Sequence, residues 1–186
     1  LRADGIDIPL LFHYGGVKST YNSLALSGVD LYPGGFGTRY GGCIGGVVEV
    51  RGRPARTDHW RSIADASLLD ASFHTEGPLG HDFSLLMAGR RSYAGELIGA
   101  ALKSQDDLKL SMAPYYADLV VRLDHGSDPD SRSFLTTFAV KDRMELVFPE
   151  EDAGSPEINE ATDEINLDLA FSRLILGSDR RIGEKL

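Results

Sequence analysis

The groups with which this 186-residue chain could do chemistry are five histidines, a single cysteine and 28 acidic side chains. His13, His59, His74, His81 and His125 form no i,i+4 pair and show no metal-ligand spacing, so they read as ordinary polar or interfacial residues. Cys43 stands alone, which excludes an internal disulfide and a cysteine-rich zinc centre and leaves a small buried apolar role. Asp128-Pro129-Asp130 offers carboxylates to Ca²⁺, but Asp and Pro also set a turn unaided. Gly35-Phe36-Gly37 opens like a dinucleotide fingerprint, yet Tyr40 stands where the third glycine belongs. There is no Gly-x-Ser-x-Gly elbow and no Walker-type loop. We therefore expect no enzyme activity, no metal site and no cofactor. The acidic run Glu150-Glu151-Asp152, continued by Glu157, Glu160, Asp163 and Glu164, is either a solvated loop or an attractor of cations.

The net charge of −9 argues against nucleic-acid binding, which needs clustered Lys and Arg. Hydrophobic residues at 42% and charged residues at 25% exclude general disorder. The apolar stretches fall far short of the ~18 residues of a membrane helix, but a membrane barrel hides in average hydropathy because its strands alternate. The 21 glycines, with scattered Tyr and Phe, suit sheets and tight turns. Because the chain starts at Leu1, it reads as an internal piece or a processed chain.

Two textures follow one another. Residues 1–53 carry short apolar runs (Ile6–Phe12, Val29–Tyr32, Val47–Val50) between glycine clusters, with one or two helical turns expected over Ser19–Leu26, capped by Ser19 or Thr20. Pro54 to Asp58 reads as a linker. From His59 onward the pattern alternates. Tyr115–His125, Arg132–Asp142 and Glu164–Leu176 have a period of two, Asp82–Tyr93 a weaker one, and His59–Gly77 reads as a hairpin bending near Leu68–Asp70. Short connections at Gly77–His81, Gly126–Ser131 and Gly177–Asp179 alternate with long ones at Ala94–Ala113 and Phe148–Thr162. Strands of about ten residues with tight turns at one end and long loops at the other are the wiring of an outer-membrane barrel. A soluble β-sandwich also alternates, with strands nearer 5–6 residues.

The block Val29-Asp30-Leu31-Tyr32-Pro33-Gly34-Gly35-Phe36-Gly37-Thr38-Arg39-Tyr40-Gly41-Gly42-Cys43-Ile44-Gly45-Gly46-Val47-Val48-Glu49-Val50 resembles the C-terminal part of the plug domain of TonB-dependent outer-membrane receptors. Its Pro33, Gly34 and Gly35 match the turn, Arg39, Tyr40 and Gly41 the Tyr-Gly step, and Gly45 and Gly46 the lead into the closing strand. Tyr32 replaces the usual Arg before the turn. Asp4-Gly5-Ile6-Asp7-Ile8-Pro9 is similar to an earlier plug strand, and Glu76-Gly77-Pro78-Leu79-Gly80 to a turn early in these barrels.

The resemblance implies an all-β, mainly antiparallel fold: the end of a plug (1–53), a linker (54–58) and the first six or so strands of a transmembrane barrel (59–186) that has roughly 22 strands when complete. Arg39, Arg51 and Arg53 are then candidates to pair with inward acids of the wall, such as Asp118, Asp124 or Asp168. Phe134, Phe138, Ile165, Leu167, Leu169 and Phe171 are expected to face lipid, with Arg91 and Arg173 at the two rims. The implied function is energy-coupled uptake of a scarce nutrient across the outer membrane of a Gram-negative-type cell, the nutrient being siderophore-, cobalamin- or glycan-like. The implied partners are outer-membrane lipid and lipopolysaccharide, the rest of the barrel or neighbouring chains, and a periplasmic energy-transducing protein. The alternatives are a receptor-like barrel with a structural or adhesive role, and a soluble β-domain that binds a ligand.

Overall fold

The computed structural model describes residues 1–14, 16, 18–97, 115–128, 131–148 and 163–180. They form an all-β molecule with two sheets. The smaller holds β1 (Arg2–Ala3), β2 (Ile6–Asp7), β3 (Leu26–Tyr32) and β4 (Val47–Gly52), in the order β2-β1-β4-β3. β1 runs parallel to β4, and the other pairs are antiparallel. The turn from β1 to β2 uses positive φ at Asp4 (46°) and Gly5 (81°), a conformation that Asp and Gly tolerate better than other residues. A 3₁₀ turn at Ser23–Ala25 precedes β3, and its cap is Asn22, which accepts the Leu24 N–H at 2.9 Å. The expected caps Ser19 and Thr20 instead donate to the carbonyls of Tyr21 and Leu10.

The larger sheet is an antiparallel meander of six strands. It comprises β5 (Arg61–Ala66), β6 (Asp70–Gly80), β7 (Phe83–Ser92), β8 (Tyr115–Asp128), β9 (Ser131–Phe148) and β10 (Asp163–Arg180). The expected hairpin over His59–Gly77 is present as β5 and β6. Its bend is held by Ser67, whose hydroxyl receives the Asp70 N–H and donates to the Asp70 carboxylate. Among the described residues the sheet is open, with one neighbour each for β5 and β10.

Residues 1–55 lie against one face of this meander. Ala3, Ile8, Tyr21, Ala25, Val50 and Ala55 share a core with Leu86, Ala88, Val120, Phe138 and Val140. Residues paired across an antiparallel ladder share a face, so the register sorts the side chains of this larger sheet, called the wall because residues 1–55 pack against it. The covered face carries the even positions of β6 to β9 and, through the pairs Phe171–Val140 and Ile175–Thr136, the odd positions of β10.

The two faces have inverted chemistry. The covered face surrounds its apolar strip with Asp70, His74, Glu76, Asp118, Arg122, Asp124, Thr136 and Asp142, all buried. The outward face carries Phe83, Leu85 and Met87 on β7, Ala117, Leu119, Val121 and Leu123 on β8, and Leu135, Thr137 and Ala139 on β9. Leu174 and Leu176 extend it on β10 at 70% and 81% exposure. Charged groups on this face lie at its ends: Arg91, Lys141, Arg143 and Asp168 toward the long connections and Arg180 at the short-turn end.

Candidate functional site

The contact between the N-terminal unit and the wall is the most charge-dense buried region among the described residues. Three ionic clusters build it. In the first, the turn carrying His13 closes on itself through the His13 N–H to the Lys18 carbonyl (2.9 Å) and the Thr20 N–H to the Leu11 carbonyl (2.8 Å). That turn aims the His13 ring into the wall, where Nδ1 lies 2.8 Å from Asp142 Oδ1 and Nε2 lies 3.1 Å from Asp118 Oδ2. The ring stacks on Tyr116 at 4.7 Å. Arg90 donates to Asp118 at 2.8 Å and to the Ser19 carbonyl. Burial alone would lower the pKa of His13, but the hydrogen bonds to Asp118 and Asp142 outweigh it and the result is a rise. Beside this cluster, Lys18 Nζ is 3.5 Å from Asp70, which also accepts the Tyr116 hydroxyl at 2.6 Å.

The second cluster is Arg53 with Glu76. The guanidinium donates to both carboxylate oxygens, at 2.6 and 2.7 Å, in the two-pronged geometry that suits Arg to carboxylates. His74 lies 3.2 Å from both partners, and the Arg56 N–H also donates to Glu76 at 3.2 Å.

The third cluster joins Asp4, Arg122 and Asp124. Asp4 Oδ1 accepts the Gly52 N–H at 2.8 Å, and Arg122 Nη1 stands 3.9 Å from Asp4 Oδ2. Arg122 also donates to Asp124 at 3.0 Å and covers the Phe134 ring with its guanidinium 3.9 Å from the centroid. Asp124 accepts the Ala55 N–H at 3.0 Å, which ties the linker to the wall. Burial raises the pKa of Asp4, against the lowering effects of the Gly52 N–H and Arg122.

These clusters redistribute the expected pairings. Arg53 does pair with a wall acid, but the acid is Glu76. Arg39 lies 3.5 Å from Glu49 and Arg51 lies 3.0 Å from Asp30, both inside the N-terminal unit. Asp118 is taken by His13 and Arg90, and Asp124 by Arg122 and Ala55. Asp168 faces outward and binds Arg143 at 3.1 Å. Pro33, Gly34, Gly35, Gly41, Gly45 and Gly46 line the exposed connection between β3 and β4, away from the ionic contact. Tyr40 anchors this connection by donating to Glu49 at 2.5 Å and packing 5.1 Å from Tyr32. The lone Cys43 sits half-buried in it.

The expected outward set is reversed. Phe134, Phe138, Ile165, Leu167, Leu169 and Phe171 share the parity of the covered face, although Ile165, near the strand end, is 48% exposed. Phe138 is 0% exposed, 5.2 Å from Tyr21 and 5.6 Å from Phe171. Arg173 shares that face and donates to the Asp7 carbonyl at 3.0 Å, whereas Arg91 faces outward and pairs with Glu96. Phe138, Val140 and Phe171 pack with the N-terminal unit, which brings its own apolar core to the wall. Sequence reasoning missed His13, Asp142, Arg90, Arg122 and Glu76. The signal available for the last four was charge at alternate positions of otherwise apolar strands. The acidic run from 150 and the Asp128–Asp130 turn fall largely outside the described residues, as do the long connections. No cluster of metal-ligating residues occurs among the described residues.

Comparison with protein-family models, with curated proteins and with solved structures returned no match. No helix among the described residues is long and apolar enough to cross a membrane, which says nothing of a β-barrel.

Proposed function

We propose that this chain is part of an outer-membrane receptor that takes up a scarce nutrient by an energy-coupled route, with residues 1–53 as the end of its plug and the meander as part of its barrel wall. One observation carries this reading: among the described residues the middle of the exposed face of the meander is a mostly apolar belt without charged side chains, with Arg91, Lys141, Arg143, Asp168 and Arg180 only at its ends, while the face covered by the N-terminal unit is lined with charge. A soluble two-layer protein hides its apolar face and wets its polar one. The opposite arrangement suits a wall with hydrocarbon outside and a polar filling within.

The dimensions agree. From Tyr115 to His125, at ~3.3 Å per residue and a tilt of ~40°, β8 rises about 25 Å, the height of an outer-membrane apolar band. Tyr115 stands at one margin of the belt, and Phe83 packs on His125 at the other, 4.4 Å apart. Aromatic rings favour such interfaces. Open edges at β5 and β10 cannot stay unpaired in lipid, so this reading requires further strands, from the same chain or its neighbours. The nutrient would meet the long-connection end. Lipopolysaccharide would meet Lys141 and its neighbours, and the energy-transducing protein would act from the short-turn side.

Two measurements test this. In a Cys43→Ser background, single cysteines at Leu85, Leu119 and Leu135 should react with a lipid-dissolved probe in native membranes, and cysteines at Ser84, Val120 and Thr136 should not. Aqueous labelling of the outward set would remove the membrane reading. Cells that carry the protein should accumulate one of a panel of ferric siderophore, cobalamin or oligosaccharide, and a protonophore should abolish the uptake. A membrane-inserted protein without such uptake would favour the structural or adhesive barrel.

A further inference from the structure

We propose that His13 is a proton-operated clasp: carrying its extra proton, it fastens the turn between Leu11 and Thr20 to strands β8 and β9, and loss of that proton frees the turn from the wall. The inference rests on the packing of two units in this chain and stands apart from the transport reading.

The geometry sets the proton count. Both ring nitrogens of His13 are within hydrogen-bond distance of a carboxylate oxygen, Nδ1 of Asp142 and Nε2 of Asp118. A neutral imidazole has one N–H and an ionised carboxylate has none, so two donors must come from an imidazolium. If the proton moves to one of the carboxyls, the cluster still holds it and the hydrogen bonds remain. All three side chains are at most 1% exposed, so water cannot replace a lost bond without the contact opening.

The surrounding charges make the same demand. The groups facing the ring are Asp118 and Tyr116 from β8, Asp142 from β9, Arg90 from β7, and Asp70 from β6 with its partner Lys18 from the turn itself. Tyr14 adds a backbone N–H toward Asp142 at 3.4 Å. With the proton in place, His13 and Arg90 balance Asp118 and Asp142, and Lys18 balances Asp70. Without it, the site holds a net buried negative charge, and one carboxylate faces a bare ring nitrogen. Buried uncompensated charge is expensive, and the least costly relief is to let the turn swing out into water. Arg90 already serves Asp118. Among the described residues Asp142 has the Tyr14 N–H alone besides His13, so it loses most when the ring is neutral.

The direction follows from the raised pKa of His13. The clasp is fully closed below the free-histidine value of 6.5 and is lost as the pH rises through the higher value in the folded protein. Hydrogen exchange of the full chain reads this directly at the amides of His13 and Thr20, which bond the carbonyls of Lys18 and Leu11. After correction for intrinsic exchange, their protection should fall between pH 6 and pH 9 by about tenfold for each unit by which the folded pKa exceeds the free value. The Val120 amide, in the wall core, should stay constant. His13→Gln should hold protection low at every pH. Asp142→Asn removes one negative charge and offers a side chain that can accept or donate, so it should keep protection high and flat up to pH 9. A flat profile in the parent protein would overturn the clasp. So would a His13→Gln or Asp142→Asn variant that retains the parent's pH dependence.

Discussion

The Arg53 guanidinium holds both oxygens of the Glu76 carboxylate, at 2.6 and 2.7 Å, across the contact between the N-terminal unit and the wall. A buried pair of this kind adds little over an apolar replacement, but breaking it strands a charge. Arg53→Ala should therefore cost about 3–5 kcal/mol, and Glu76→Leu added to it should return most of that loss. Chemical denaturation of the two single variants and the double variant measures the coupling. A single-variant cost below ~1 kcal/mol would mean that Arg53 does not hold the units together.

How much of this was legible in the sequence differs by level. Period two located most of the strands and the bend near Leu68–Asp70, because backbone geometry alone imposes those signals, but the short connection expected at Gly77–His81 lies mostly within β6, which runs to Gly80, and the one expected at Gly177–Asp179 lies inside β10. Which face of each strand is covered was not legible. In β10 the apolar parity changes along the strand: Leu167, Leu169 and Phe171 are odd, whereas Leu174 and Leu176 are even. The odd set shares the covered parity and Phe171 packs on the shared core, whereas the even set joins the exposed belt. Alternation says which residues share a face and is silent about what lies against it. The site was legible only in outline. Arg53 was picked out by type, but its partner depended on register. His13 gave no signal, because its two acids are more than a hundred residues away in the chain.

Gly52 marks the closest backbone approach in the third cluster. A Cβ there would stand 2.8 Å from the Tyr21 hydroxyl and 2.9 Å from Asp4 Oδ2, with Arg122 next in line. Gly52→Ala should cost about 1–3 kcal/mol through displaced side chains. Gly34→Ala, in the exposed connection with nothing near its Cβ, should change stability by less than ~0.5 kcal/mol. Thermal melts of both variants test this, and equal effects would mean that the contact at Gly52 yields freely.

Asp4, an acid with a raised pKa, gives a pH dependence of the same sign as His13, in a lower pH range. Burial disfavours its charged form in the folded protein, so ionisation above the free value of 3.8 works against folding. That penalty disappears as the pH falls. Asp4→Asn keeps an oxygen for the Gly52 N–H and removes the ionisation. Its melting temperature should match or exceed the parent's at pH 7, and the advantage should vanish near pH 3.5. A variant less stable than the parent at pH 7 would show that the attraction to Arg122 outweighs the cost of burial.

Leu174 separates a wall in lipid from a sheet in water. It is 70% exposed on β10 and pairs across the ladder with Thr137, which in turn pairs with Val121. In water, Leu174→Lys replaces one exposed side chain with another and should shift stability by no more than ~0.5 kcal/mol. In hydrocarbon near mid-band the same change should cost about 2–4 kcal/mol. Leu169→Lys, on the covered face and opposite Asp142, supplies the contrast. Leu169 is half-buried on the parity away from lipid, so its cost should be the same whether the protein is folded in vesicles or in detergent. Urea titrations of the complete protein in vesicles of two thicknesses complete the test. The Leu174→Lys cost should change with bilayer thickness and the Leu169→Lys cost should not. A Leu174→Lys cost that stays within ~0.5 kcal/mol in both vesicles would place this face in water.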